Sequence, residues 1–545
     1  MKKGFRYLFW MGVVSMAVIS CAKRGSPTGG PRDLEPPEFV SATPENYSIN
    51  FKSNKIRIVF DEYIKLKDPQ RQILISPPMD PPPIITPMGS PRKYVEIEIR
   101  DTLLENTTYT VNFGQSIIDN NEDNPMSFFK YVFSTGDYID SLSVSGTVQD
   151  AFLKSPEDFI SVMLYRIEDF EQDKTFGRAT AYVDSIPYTQ MPTYISYTND
   201  SLHSFHLENL EEGTYKLIAL KDRNSNYLFD PETDKIGFLE EPIQIPTDST
   251  YHLTLFKEIL DLKMERPKHV GQQRVLFGYQ GEADSIRLKL LSEKPEDFDF
   301  RIIPDPKTDT LYYWYKPNLE RDSLVFEAST ANYRDTLTVS LLKKEMDTLR
   351  LDAVQSGSID FDDVFSVKST TPLIEKDSAL IDILNKDSMK VDFAAEIDYK
   401  LNQLKLDFEK QEAETYYISL FPGAVTDFYG NINDTLNYRL QTKELSDYGV
   451  LTLEVHNLEA HPVVVQLVSV KGEVKREIYA TEGTRFKFEN IIPGEYLVRF
   501  LYDENKNGKW DTGNYLQNRQ AERVVYYSDT LNIRANWDVV QQITD

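Results

Sequence analysis

Two stretches place oxygen-bearing side chains at alternating positions, the arrangement that wraps a hard cation. Asp222-x-Asn224-x-Asn226-x-Leu228-x-Asp230 and Asp503-x-Asn505-x-Asn507-Gly508-x-x-Asp511 put oxygens at positions 1, 3, 5 and 9 and leave a backbone carbonyl for position 7, as in a Ca²⁺-binding loop. The match is partial. Position 12, where a bidentate Glu belongs, is Thr233 in one loop and Asn514 in the other, and Tyr227 stands where the second loop has Gly508. With two carboxylates per loop, affinity would fall to about 10⁻⁴ to 10⁻³ M. The competing chemistry is local, with Asp and Asn capping their own backbone as Asx turns. Calcium is the only cofactor the sequence points to.

Other chemistry is sparse. Leu311-Tyr312-Tyr313-Trp314-Tyr315, as a strand, puts Tyr312 and Trp314 on one face and Tyr313 and Tyr315 on the other. One face is core. The other is a stacking platform for sugar or peptide, or a covered face at a domain interface. The six His form no H-x-x-x-H or H-E-x-x-H pattern, and no G-x-S-x-G, phosphate loop or G-x-G-x-x-G sits between a strand and a helix. Cys21 is the only cysteine, which leaves no disulfide, C-x-x-C metal site or thiol nucleophile beyond it. The chain therefore reads as non-enzymatic. Asp followed by Ser or Thr recurs throughout, and this is similar to the O-glycosylation acceptor of Bacteroidota envelope proteins. The resemblance implies glycan acceptors at Thr102, Ser141, Ser201, Thr336 and Thr435; turns that feed strands give the same dipeptide.

The elements that position the loops are repeated. Phe205 to Asp230 returns as Phe486 to Asp511 without a gap, matching Glu208-Asn209 to Glu489-Asn490, Gly213 to Gly494 and Tyr215 to Tyr496. Each copy alternates apolar and polar residues, turns at a Gly, alternates again and runs into the Asp/Asn loop, which predicts a β-hairpin with one buried face. Val144-Ser145-Gly146-Thr147-Val148, Met163-Leu164-Tyr165 and Asn209-Leu210-x-x-Gly213-Thr214-Tyr215 are similar to the prealbumin-like sandwiches of the carboxypeptidase regulatory-like family, which are accessory rather than catalytic.

Upstream, alternating strands at Lys55–Phe60, Tyr94–Ile99, Tyr109–Phe113 and Tyr131–Phe133 predict an antiparallel sandwich. Ile56-x-Ile58-x-Phe60-Asp61-Glu62, Thr108-Tyr109-Thr110-Val111, Asp119-Asn120-Asn121 and Phe133-Ser134-Thr135-Gly136 resemble the bacterial Ig-like domains of surface-layer proteins and Bacteroidota lipoproteins. The family's D-x-x-G-N turn is Asp119-Asn-Asn-Glu-Asp-Asn here, lacking the Gly; Asp427-Phe428-Tyr429-Gly430-Asn431 restores it downstream. The expected class is all-β, as tandem Ig-like and prealbumin-like antiparallel sandwiches. The expected order is signal peptide 1–20, lipidated Cys and tether 21–36, Ig-like 37–138, prealbumin-like 139–258, unassigned sandwich 259–345, second Ig-like 346–445 and second prealbumin-like 446–545.

Length and charge set the outer limits. At 545 residues the chain exceeds one core, and its 40% hydrophobic and 12% aromatic content fits a folded, strand-rich protein. A formal charge of −26 with no basic stripe excludes nucleic acid as a partner. Lys2, Lys3 and Arg6 precede an apolar run from Tyr7 to Ile19, too short for a comfortable span, and Val18-Ile19-Ser20-Cys21 looks like a lipobox with Cys21 as the acylated residue. The expectation is a lipoprotein of the bacterial outer membrane, on its periplasmic face or the cell surface, serving as scaffold or binding subunit. Its expected partners are the membrane, through the lipid anchor, and other envelope proteins, a β-barrel among them. The alternatives are a glycan- or polymer-binding accessory lipoprotein and a subunit of an outer-membrane assembly or transport complex.

Overall fold

The computed structural model describes residues 33–168, 185–198, 202–281, 286–305 and 307–544. The signal peptide, Cys21 and Ser201 lie outside the described residues. Within them the chain is all-β, with only short helical turns such as Pro69–Gln72 and Ile186–Thr189. Five hydrophobic cores succeed one another, within 51–133, 144–255, 264–339, 351–440 and 451–543. Alternation builds each of them. In the strand Lys55–Leu66, Ile56, Ile58, Phe60 and Ile64 are buried while Lys55, Arg57 and Asp61 face water.

The first and fourth units share one arrangement. In the first, Phe39–Thr43, Lys55–Leu66, Arg92–Glu98 and Ile84–Thr86 form one sheet, and Leu74–Ser76, Thr108–Asn112 and Lys130–Ser134 the other. The register of Lys55–Leu66 shifts between Val59 and Ile64, and beyond the shift it pairs with Ile117–Asp119. In the fourth unit that bulged strand has become two, Phe365–Ser369 and Leu373–Lys376, the second pairing with Val425–Asp427. The Gly missing from the first turn is replaced by Asp123, which takes a left-handed φ of 63° where Gly430 has 86°. Asp119 holds the turn by accepting the N–H groups of Asn121, Glu122 and Asn124 at 2.6–2.7 Å, as Asp427 accepts those of Tyr429 and Asn431 at 2.9 and 2.8 Å. Burial works to raise the Asp119 carboxyl, but these donors outweigh it and hold it below the ordinary value.

The second and fifth units correspond strand for strand. In the second, Tyr194–Tyr197, Ser161–Arg166, Gly213–Lys221 and Lys235–Phe238 form one sheet, with Ile243–Ile245 also on Gly213–Lys221; Ser204–Leu210, Leu142–Asp150 and Thr250–Leu255 form the other. The fifth repeats this with Val474–Ala480, Val463–Ser469, Gly494–Tyr502, Val524–Tyr526 and Leu531–Ile533, and with Arg485–Ile491, Gly449–His456 and Asp538–Thr544. The repeat thus extends well beyond the hairpin that sequence reveals. Pairing is not antiparallel throughout, because the first and last strands of each of these units lie side by side in parallel. They can do so because the rest of the unit forms the crossover between them.

Neighbouring units touch through specific bonds. Ser76 Oγ accepts the Ile195 N–H at 3.0 Å, Lys316 Nζ donates to the Phe428 carbonyl at 2.6 Å, and the Tyr448 hydroxyl donates to Asp360 at 2.5 Å. The second and fifth units, distant in sequence, also touch.

Candidate functional site

Both Asp/Asn loops are organised around carboxylates turned on their own backbone. Asp222 accepts the N–H groups of Asn224, Ser225 and Tyr227 at 3.0, 2.6 and 2.7 Å. Asp503 accepts those of Asn507 and Gly508 at 3.0 and 2.8 Å. Asn226 accepts from Leu228, and Asp230 from Glu232, both at 3.0 Å; Asn224 Nδ2 reaches toward Asp230 at 3.4 Å. In the second copy Asn505 and Asn507 each donate an amide N–H to Asp511 at 2.5 Å. These are Asx turns. Among the described residues no three His, Cys, Asp or Glu side chains converge as a metal site.

Each loop is closed by an acid that sequence reasoning missed. Asp234 accepts the N–H groups of Arg223 and Asp230 at 3.0 and 2.9 Å. Glu522 does the same for Glu504 and Asp511, both at 2.9 Å. Asp234 follows Asp222 by 12 residues and Glu522 follows Asp503 by 19, so an alignment that stops at Asp511 never brings them into register. Burial raises the Asp222 and Glu522 carboxyls despite the donated N–H groups.

The longer second loop has a different role, because it reaches across to the second unit. Tyr515 and Trp510 join a sixth apolar cluster on the outer sheet face of the second unit, with Tyr165, Ile218, Phe229, Phe238 and Phe256 among its members. The Tyr515 ring meets Phe238 edge-on at 5.1 Å, and its N–H donates to Glu258 at 2.5 Å. Thr512 Oγ1 donates to the Lys257 carbonyl at 2.7 Å, and Gln520 Nε2 to the Phe238 carbonyl at 3.1 Å. Gly513 fits here for want of a side chain, since a Cβ would lie 2.6 Å from the Phe256 ring and 2.7 Å from the Arg519 carbonyl. A groove of about 710 Å³ runs along this seam, between Asp150, Glu240 and His252 on one side and Glu522 and Arg523 on the other.

Contact in the other direction comes from Phe152. It lies against Trp510 at 4.8 Å between centroids and under the Arg499 guanidinium at 4.2 Å, and its carbonyl accepts the Tyr526 hydroxyl at 2.9 Å. Arg499 is only 3% exposed and is held by a cross-strand row. Its Nε donates to Gln466 at 2.6 Å and its Nη1 to the Tyr526 oxygen at 3.1 Å, while Gln466 donates to Glu477 at 2.9 Å. Glu477, Gln466, Arg499 and Tyr526 are direct neighbours across four strands, as are Ile195, Met163, Ile218 and Phe238 in the second unit. One row is a polar relay and the other is wholly apolar. The available signal was Arg499 aligned with Ile218 in an otherwise apolar alternation.

The aromatic strand of the third unit resolves as a covered face. Tyr313 and Tyr315 are core, and Trp314, 3% exposed, lies under Arg274 at 4.7 Å and near Tyr429 of the fourth unit at 6.4 Å. Trp510 is part-buried in the seam, so neither ring is an open platform. Of the acceptor residues, Thr102, Ser141, Thr336 and Thr435 are exposed. Asp101 and Asp335 each accept the next residue's N–H at 2.7 Å, the turn geometry.

A family model described as a bacterial Ig-like domain matches residues 33–135. No curated protein matches the chain. Among solved structures, domains 1–6 of the surface layer protein SbsC align at 10% identity and a TM-score of 0.15, covering 87% of this chain and 66% of that one. Alpha-2-macroglobulin from Escherichia coli, spanning domains MG0-NIE-MG1, aligns at 13% identity and a TM-score of 0.17 over 34% of this chain and 96% of that one. The insect immune protein hemolin does so at 9% and 0.17, over 74% and 96%. The first unit therefore carries the bacterial Ig-like pattern, and the fourth repeats its sheet arrangement.

Proposed function

We propose that this chain is a non-enzymatic scaffold or binding subunit of the bacterial envelope, anchored to the outer membrane through acylated Cys21 and built of five domains with the boundaries given above. The observation that carries the scaffold reading is the docking of sequence-distant units: the loop 504–522, longer than its counterpart 223–234, joins the second and fifth units. The bacterial Ig-like match and the all-β array support a structural role. No helix among the described residues is long and apolar enough to cross a membrane, and the Lys2/Lys3/Arg6, apolar, Val18-Ile19-Ser20-Cys21 order supplies the anchor instead. Its partners are other envelope proteins, and the acidic balance excludes nucleic acid. The second and fifth units fit the prealbumin-like accessory reading, and exposed Thr102, Ser141, Thr336 and Thr435 are the glycan positions it would use.

Fractionation tests the anchor. Cys21→Ala releases the protein into the soluble fraction, because acyl chains contribute about 0.8 kcal/mol per buried CH₂. A variant that still sediments with membranes after salt washing would sink the reading.

A further inference from the structure

Two buried donors at the junction of the third and fourth units have no partner. Trp314 is 3% exposed and its Nε1 meets no acceptor, and Arg274 Nε is left in the same way. Buried polar groups are almost always paired, and a donor that is not forfeits its hydration for nothing in return. Arg274 is held where it stands. Its guanidinium lies over the Trp314 ring at 4.7 Å and the Tyr312 ring at 5.5 Å, and its Nη2 is tied to Asp347 at 3.0 Å. Both donor residues line one cavity of about 430 Å³, set between the outer sheet face of the third unit and the fourth unit. That volume is in the range of small-molecule sites. Half-buried Tyr312 gives it ring surface, and half-buried Asp305 and exposed Asp352 give it acceptors.

The lining selects its ligand. An apolar or cationic molecule would leave both donors unpaired. An anion would meet Asp305, Asp347 and Asp352 against only Arg274 and Lys368, in a chain of net charge −26. A hydroxyl group serves both sets of partners, because its oxygen accepts from an N–H while its hydrogen donates to a carboxylate. We infer that this cavity binds a neutral sugar, whose hydroxyls accept from Trp314 Nε1 and Arg274 Nε and donate to Asp305 and Asp352 while its C–H groups lie against Tyr312. The indole takes part through its N–H edge, since its face is covered by Arg274. The site adds a ligand to the binding-subunit reading and does not depend on the lipid anchor, so either can fail without the other.

The test follows the indole N–H signals of the full chain by NMR, with the Trp314 signal assigned through Trp314→Phe. The probes are glucose, galactose, mannose and N-acetylglucosamine. The expected result is that at least one of them moves the Trp314 signal downfield and saturates, while the signals of Trp510 and Trp537 stay in place. The Kd should be about 1–10 mM, the affinity open to a ligand of about a dozen heavy atoms. Asp352→Ala, at an exposed position, should keep the melting temperature and weaken binding about fivefold. No saturable shift with any of the four sugars overturns the inference and leaves the donors to ordered water. An equal shift of all three indoles is a solvent effect and overturns it as well, as does an affinity untouched by Asp352→Ala. Glucuronate that binds more tightly than every neutral sugar, and less so as salt rises, overturns it in favour of an anion.

Discussion

The second and fifth units have the same strands in the same order, yet the outer faces of their larger sheets have opposite chemistry. In the second, the row Ile195–Met163–Ile218–Phe238 is apolar and lies beneath Tyr188, Phe229 and the incoming Tyr515. In the fifth, Glu477–Gln466–Arg499–Tyr526 is a hydrogen-bonded relay under Phe152. A sheet fold fixes which residues are neighbours, but what lies over them decides whether the row must be oily or may be polar. Burial of Gln466 and Arg499 is tolerable because their donors and acceptors find one another, the exposed Glu477 and the part-buried Tyr526 across adjacent strands.

Breaking the relay should have the largest effect. Arg499→Ala leaves Gln466 and Tyr526 without their buried partner and should lower the stability of the fifth unit by about 3 kcal/mol, measured by denaturant unfolding followed by Trp fluorescence. Installing the second unit's row through Glu477→Ile, Gln466→Met, Arg499→Ile and Tyr526→Phe should recover most of that loss. A quadruple variant as damaged as the single one would show that the row is valued for something other than satisfied burial. Next in size is Tyr515→Ala, which removes a ring from the shared cluster and should cost about 2–3 kcal/mol of docking. Its readout is new protease sensitivity around 504–522, with each unit still folded by circular dichroism.

A smaller effect separates the loops as turns from the loops as metal sites. Asp503→Ala removes two accepted N–H bonds and should destabilise by about 1 kcal/mol, with melting identical in EDTA and in about 10 mM Ca²⁺. A saturable rise in melting temperature with Ca²⁺, lost on removing Asp503 and Asp511, would instead favour the cation reading. The smallest effect is from pH. Burial raises the Glu258 carboxyl, and the Tyr515 N–H and Arg519 only partly offset it. A raised acid takes up its proton in the folded state first, so this group adds stability as pH falls from 7 toward the unfolded value of about 4.3. Glu258→Gln should flatten that part of the melting curve.

Much of this was legible in the residues. The constant offset between Phe205 and Phe486 announced the repeat, and alternation in Lys55–Phe60 and Tyr94–Ile99 announced strands that the structure contains as Lys55–Leu66, twice as long as read, and Arg92–Glu98. The Asx reading of Asp222 and Asp503 was available beside the calcium reading, but spacing alone does not say which way a carboxylate turns. Asp234 and Glu522 were hidden by loops of unequal length. Asp123 was hidden because a left-handed residue without Gly has no reliable sequence mark. The seam was hidden for a further reason: Tyr515, Phe152 and Glu258 are far apart in sequence and meet only once whole units dock.

The parallel pairing of first and last strands in the second unit also fixes how tension would pass through the chain. Leu142–Asp150 receives the chain from the first unit and Thr250–Leu255 hands it on toward the third, side by side over Ser145–Asp150 and Thr250–Leu255. Tension at the two ends slides these strands past each other. The evenly spaced bonds of the parallel ladder are then loaded together in shear rather than opened one at a time, making this pair a mechanical clamp between the first unit and everything beyond it.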